Sequence, residues 1–206
     1  MTRQRPRRSA GGSSLLAALP VLLLLDLSAN AQQAAKPEGS SPNEKSADHE
    51  FAPRGQRTAR EIKYSDWRKT CFKSPGTNMV CRTSIAGTFE TGQSAVRIDL
   101  IAREGEKTAR LQLFLPVGLY LQAGVRLTID RGTGYRIPYM WCFTNTCIAA
   151  EVADPKLLKE METGQNLLLE LVDTSLLTVN TSLQLNQFAA VRHGTPAQTF
   201  EQTIDE

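Results

Sequence analysis

Leu177-Thr178-Val179-Asn180-Thr181-Ser182-Leu183-Gln184-Leu185 alternates from end to end. Leu177, Val179, Thr181, Leu183 and Leu185 share one face, and Thr178, Asn180, Ser182 and Gln184 the other. A period of two is the signature of a half-buried strand, because successive side chains leave a pleated backbone on opposite sides. The same period recurs upstream. Val96, Ile98 and Leu100 oppose Arg97 and Asp99; Leu111, Leu113 and Leu115 alternate with Gln112 and Phe114; Val125, Leu127 and Ile129 alternate with Arg126, Thr128 and Asp130. Turn signals punctuate these runs at Ala86-Gly87, Gly105, 116–118, Ala123-Gly124 and 132–134. Short alternating strands at such spacing predict an all-β fold, an antiparallel sandwich or barrel, of which the immunoglobulin-like β-sandwich is the arrangement expected.

One helix interrupts the pattern. Asp154 suits an N-cap, Pro155 the first helical position, and Gly164 a stop, while Leu157, Leu158 and Met161 form an apolar stripe. Too short to stand alone, it is expected to cover an open end or edge of the sheets.

Before the folded part the composition changes. Arg3, Arg5, Arg7 and Arg8 precede an apolar stretch at 15–25, which closes before Ala29-Asn30-Ala31. This is the layout of a secretory signal peptide over residues 1–31. The apolar stretch, interrupted by Pro20, is too short to span a membrane, so no transmembrane segment is expected after cleavage. Residues 32–60, rich in Gln, Ala, Pro, Glu, Ser, Lys and Asn, read as a disordered tether, 61–193 as the β-domain and 194–206 as a flexible tail. The chain has 206 residues, 24 Lys and Arg against 21 Asp and Glu. Setting aside the four leader arginines and Asp26 leaves the rest neutral. A nucleic-acid partner held by a bulk basic field is therefore not expected.

The four cysteines fall as two local pairs, Cys71 with Cys81 and Cys142 with Cys147. In an exported chain that favours two local disulfides over the other two connectivities. Their spacings fit common zinc ribbons poorly, and no Cys-x-x-Cys redox motif is present, so neither a metal site nor thiol exchange is expected. No phosphate loop, nucleophile elbow or zinc-binding helix motif appears, so no cofactor and no catalytic residue is assigned. The two histidines, His49 and His193, fall in the tether and near the domain's end. Glu104 and Glu106 flank Gly105 and read as a solvated hairpin tip, and the Asn180 sequon as a coincidence within a strand. Arg54, Arg57, Arg60, Lys63, Arg68 and Lys69 form a basic stretch read chiefly as solvated.

Tyr135-Arg136-Ile137-Pro138-Tyr139-Met140-Trp141-Cys142-Phe143 concentrates aromatics at odd positions. If Pro138 leaves the register intact, they share one strand face. Turned inward, the usual fate of large aromatics, that face is sandwich core. Turned outward, Tyr139, Trp141 and Phe143 become candidate binding residues, since aromatic side chains give rigid contact area at low entropy cost. Trp67 reads as core.

Several segments together resemble the invasion-associated locus B family. They are Tyr64-Ser65-Asp66-Trp67 ahead of Cys71 and Cys81, Leu115-Pro116-Val117-Gly118-Leu119, Ala123-Gly124-Val125, Ile137-Pro138-Tyr139 before Cys142, and Cys147-Ile148-Ala149. The resemblance covers roughly 61–192. Thr146 departs from the family's usual Gly, and Leu185-Asn186-Gln187-Phe188 matches its C-terminal segment only loosely. The resemblance implies an exported, periplasmic or surface-associated β-sandwich, linked in some members to host-cell entry, with no established enzymatic activity. The expected partner is an unidentified envelope or host-surface protein or glycan. The alternatives are a periplasmic chaperone or envelope-assembly factor, favoured by a long exposed edge strand, and a hydrolase built around His193.

Overall fold

A computed structural model describes residues 52–201. The leader and most of the tether read from the sequence lie outside the described residues. The strands are β1 (Gly55–Arg57), β2 (Ile62–Tyr64), β3 (Arg68–Lys73), β4 (Val80–Phe89), β5 (Ser94–Arg103), β6 (Ala109–Leu115) and β7 (Val125–Ile129). They continue with β8 (Tyr135–Ile137), β9 (Tyr139–Cys142), β10 (Cys147–Ala153), β11 (Asn166–Val172), β12 (Leu177–Gln184) and β13 (Gln198–Glu201). Two helices, α1 (Pro155–Thr163) and α2 (Phe188–His193), complete the described residues together with a short 3₁₀ turn.

The strands form two sheets arranged as a sandwich. The smaller runs β1-β12-β11-β7-β8; the larger runs β13-β3-β4-β5-β6-β10-β9, with β2 also paired to β4. The alternation explains the core. Ile85, Ile98, Leu100, Leu111, Leu113 and Ala149 of the larger sheet join one apolar cluster with Val125, Leu127, Leu167, Leu169 and Leu183 of the smaller. Each fully buried aliphatic side chain contributes about 1.5–3 kcal/mol, which drives the two inner faces together.

α1 forms as its sequence dictates. The Asp154 carboxylate accepts from the Leu157 amide at 2.7 Å, and Leu157, Leu158 and Met161 are buried. A second helix replaces the expectation of one. Loosely matched in sequence, α2 is short, but fully buried Phe188 sits edge-on to Trp67 at 4.9 Å between ring centroids. Trp67 is core, and its indole N–H donates across the sandwich to the Gln184 carbonyl at 3.1 Å. Tyr64 makes a second crossing, its hydroxyl 2.7 Å from that of Thr181.

The sheets are not wholly antiparallel. β1 runs parallel to β12, and β13 parallel to β3. Residues 55–57 and 198–201, assigned to tether and tail from composition, thus lie as strands along two sheet edges. Edge backbone groups offer hydrogen bonds to any extended segment that reaches them, whatever its composition. Side chains add to both: Phe200 stacks on Phe72 at 5.4 Å, and Arg57 lies 3.2 Å from the Asp173 carboxylate.

Candidate functional site

Tyr135–Cys142 changes sheets at Pro138. β8 pairs with β7 in the smaller sheet, whereas β9 pairs with β10 in the larger. Proline has no amide hydrogen for a ladder, so a corner is a natural place for it. The Pro138 carbonyl accepts from the Ala150 amide at 3.0 Å. The single continuous face expected from the odd-numbered aromatics is therefore not formed.

A second irregularity re-aims the side chains. Trp141 pairs with Ile148 and Tyr139 with Ala149, so two steps on β9 match one on β10, and Met140 is the extra residue of a bulge. Ala149 lies opposite inward Leu113, whereas Ile148 lies opposite Phe114 on the outer face. Tyr139 consequently packs against the core while Trp141 turns outward. Ile137 is 1% exposed, Trp141 44%, Met140 50% and Phe143 61%. Of the three candidate residues, Trp141 and Phe143 are exposed, as is neighbouring Met140, and Tyr139 is not. Exposed Met140 was missed because the one-face reading counts even positions as spacers.

The hairpin is braced. Cys142 and Cys147 are disulfide-bonded with Cα atoms 3.9 Å apart, and the Phe143 amide donates to the Thr146 carbonyl at 2.7 Å. Cys71 and Cys81 form the second disulfide, joining β3 to β4 with Cα atoms 4.0 Å apart. The Tyr139 hydroxyl is buried without a hydrogen-bond partner, and burial pushes its pKa upward. Tyr135 is likewise pushed up, to about 12, by burial and by its 2.9 Å hydrogen bond to the Glu160 carboxylate.

Across the outer face of the larger sheet, registered positions lead from the hairpin through Ile148 and Phe114 to Arg97 and Ala86. The Arg97 guanidinium carbon lies 3.8 Å from the Phe114 ring centroid. Its Nε is 3.3 Å from Asp99, and an Arg82 terminal nitrogen 4.0 Å, ion-pair distances without hydrogen-bond alignment at either Nε. Asp99, expected on a solvated polar face, is only 2% exposed. Burial raises its pKa against the opposing pull of Arg97 and Arg82.

The remaining sequence candidates are scattered. His193 is exposed, and its Nε2 lies 2.7 Å from Glu162, which also pairs with Arg192, so the cluster ties α2 to α1. Burial opposes ionisation of Glu162, but the hydrogen bond from His193 and the Arg192 charge lower its pKa overall. Glu106 pairs with Arg103 at the β5–β6 turn. Lys69 donates to the Gly194 carbonyl, and Arg60 lies over the Phe89 ring, so the basic stretch is spread over separate contacts. His49 lies outside the described residues. Among the described residues no group of three or more His, Cys, Asp or Glu is placed to hold a metal ion, and no helix is long and apolar enough to cross a membrane.

Fold and site together define a disulfide-braced β-sandwich module displaying an aromatic hairpin. The chain belongs to the invasion associated locus B (IalB) family, whose model matches residues 67–196. It is similar to invasion protein B homologs of Brucella abortus strain 2308 and of B. abortus biovar 1 strain 9-941. Each is 28% identical over 115 residues, which is 56% of this chain and 65% of the relative's length. The match thus spans just under two thirds of those relatives. A crystal structure of invasion associated protein B from Bartonella henselae shares the fold, with a TM-score of 0.56 at 21% identity over 63% of this chain and 90% of that one.

Proposed function

We propose that the protein is an exported, non-enzymatic binding module of the bacterial envelope or surface that contributes to host-cell association. The observation that carries this reading is the exposed trio Met140, Trp141 and Phe143 on a hairpin closed by the Cys142–Cys147 disulfide. Exposed aromatic side chains on a disulfide-closed hairpin are the kind of anchor that fills a pocket on a partner. Export is supported by the leader-like residues 1–31 and by two disulfides, which persist in oxidising compartments. The chaperone alternative draws little support from the edge strands of the sandwich, since β1, β8, β9 and β13 have only three or four residues each.

The test is association of the purified protein with host cells, read by flow cytometry. A Met140→Ser/Trp141→Ala/Phe143→Ser variant is expected to lose association while its far-UV spectrum stays unchanged; undiminished association would overturn the hairpin as the binding element. Protease treatment of intact and osmotically opened bacteria tests location. Digestion on intact cells supports a surface role, and protection until the outer membrane is breached places the main pool in the periplasm.

A further inference from the structure

The outer face of the larger sheet carries a set of cations that the hairpin reading does not use. Arg68 on β3 lies in register with Ser84 on β4, which in turn opposes Asp99 on β5. Arg82 on β4 and Arg110 on β6 both lie in register with Ile101 on β5. Arg97 stands two residues from Asp99. With strands about 4.8 Å apart, four guanidiniums are thus distributed over four adjacent strands, a width of roughly 14 Å.

Asp99 is the sole carboxylate among these positions, and it is buried beneath Arg82 and Arg97. The side chains of Arg82 and Arg97 nevertheless remain 40% and 43% exposed. Asp99 below and Phe114 alongside orient Arg97 without covering it. Arg68 and Arg110 are exposed. Arg68 and Arg97 also line one groove of about 1000 Å³ with Ser65, Ser84 and Thr195, where Asp66 is the only carboxylate. The set is net positive within a chain that is neutral beyond its first residues, so the positive field is local to this face.

Charge complementarity selects the ligand. A guanidinium fork matches sulfate, phosphate and carboxylate oxygens. Cations spread over roughly 14 Å cannot all meet one such group and call for a ligand with anions in series. The ring of Phe114, the one beside Arg97, is covered by that guanidinium and is not open to receive a nucleobase. The half-buried side chains between the cations, Ser84 and Gln112, suit sugar hydroxyls. We infer that the outer face of the larger sheet, from Arg68 to Arg110, binds a linear sulfated polysaccharide.

This site uses residues separate from the hairpin trio and stands or falls independently of it. The test is isothermal titration of the chain without its leader, residues 32–206, with a size-defined heparin oligosaccharide at low and physiological salt. Binding is expected, weakening steeply with salt as condensed counterions cease to be released. Arg68→Gln/Arg110→Gln, at two exposed positions, is expected to weaken binding about tenfold, on the scale of lost hydrogen bonds to charged groups. Arg97→Lys, which keeps the charge but loses the fork, is expected to weaken it as well. Arg126→Gln on the smaller sheet is expected to bind as the parent does. Absence of heparin binding at low salt, or full affinity in the Arg68/Arg110 variant, overturns the proposal. Equal affinity for a single-stranded oligonucleotide, or preference for anionic vesicles, overturns it in favour of general polyanion attraction or a lipid surface.

Discussion

The chain has two tryptophans, and the structure gives them opposite environments. Trp67 is 5% exposed and Trp141 44%. Taking about 250 Å² for a whole indole side chain, Trp67 buries roughly 240 Å² and Trp141 roughly 140 Å². Replacing Trp67 with Ala leaves a cavity against Phe188 and strips the Gln184 carbonyl of its donor. Large aromatic truncations of this kind cost about 3–5 kcal/mol. Replacing Trp141 opens a gap that water fills, so the cavity contribution vanishes and about 2–3 kcal/mol of transfer energy is lost. For a chain of this size each kcal/mol moves the melting temperature by about 2–4 °C, giving losses of roughly 6–20 °C for Trp67→Ala and 4–12 °C for Trp141→Ala. Melting followed by circular dichroism checks the ordering. Fluorescence checks it independently, because each variant retains a single indole: Trp141→Ala should emit toward the blue and resist acrylamide, and Trp67→Ala should emit toward the red and be quenched. Equal melting losses, or a readily quenched Trp67, would refute the assignment of core and surface.

Tyr139→Phe removes a buried hydroxyl that has no partner. It should raise stability in urea by about 1 kcal/mol, and a loss of that size would show that the hydroxyl is bonded. Asp173 accepts from the amides of Leu177 at 3.0 Å and Ser175 at 2.8 Å and pairs with Arg57; the Leu177 hydrogen bond leads the causes that lower its pKa. Because the folded carboxyl titrates below the unfolded one, its stabilisation is complete above about pH 4 and drains away as pH falls through the folded value. Asp173→Asn should flatten that acid limb in denaturation measured across pH, while an unchanged limb would remove Asp173 as its source. Cys71→Ser/Cys81→Ser should cost about 3 kcal/mol and Cys142→Ser/Cys147→Ser about 2, following the loop lengths; the reverse order in guanidinium unfolding would contradict loop entropy as the cause. At Gly87 an added Cβ would come within 2.5 Å of Ile62 and 2.9 Å of Tyr64 where β2 crosses β4, so Gly87→Ala should destabilise by about 1–3 kcal/mol in the same assay.

The central strands and α1 were legible because their information is local. Alternation at Val96, Ile98 and Leu100 and at Leu111, Leu113 and Leu115 names the inward face, and Asp154 and Pro155 start a helix through their own backbone chemistry. What was not legible depends on partners distant in the chain. The parallel pairing of Gln198 with Thr70 leaves no periodic trace in a four-residue strand. The helix at Phe188 owes its place to Trp67, more than a hundred residues earlier. At the candidate site the aromatic content of 135–143 was plain, but its facing was not. Pro138 could be read as a possible break, whereas the extra residue at Met140 is defined only against Ile148 and Ala149. Asp99 followed the alternation correctly and still ended buried, because Arg82 and Arg97 close over it on what is nominally the wet side.

The two end strands bear on how this protein should be cut for laboratory work. A fragment trimmed to 61–193, the boundaries that composition recommends, would discard both β1 and β13. That would strip Leu177–Val179 of β12 and Thr70–Lys73 of β3 of their neighbours and leave both strands as bare hydrogen-bonding rims. Sticky dimers seen with such a fragment would then be a product of the scissors, since the intact ends act as built-in selvedges. The opposite rims of the two sheets belong to one continuous stretch, β8 and β9, folded around a residue with no amide hydrogen to offer a neighbour.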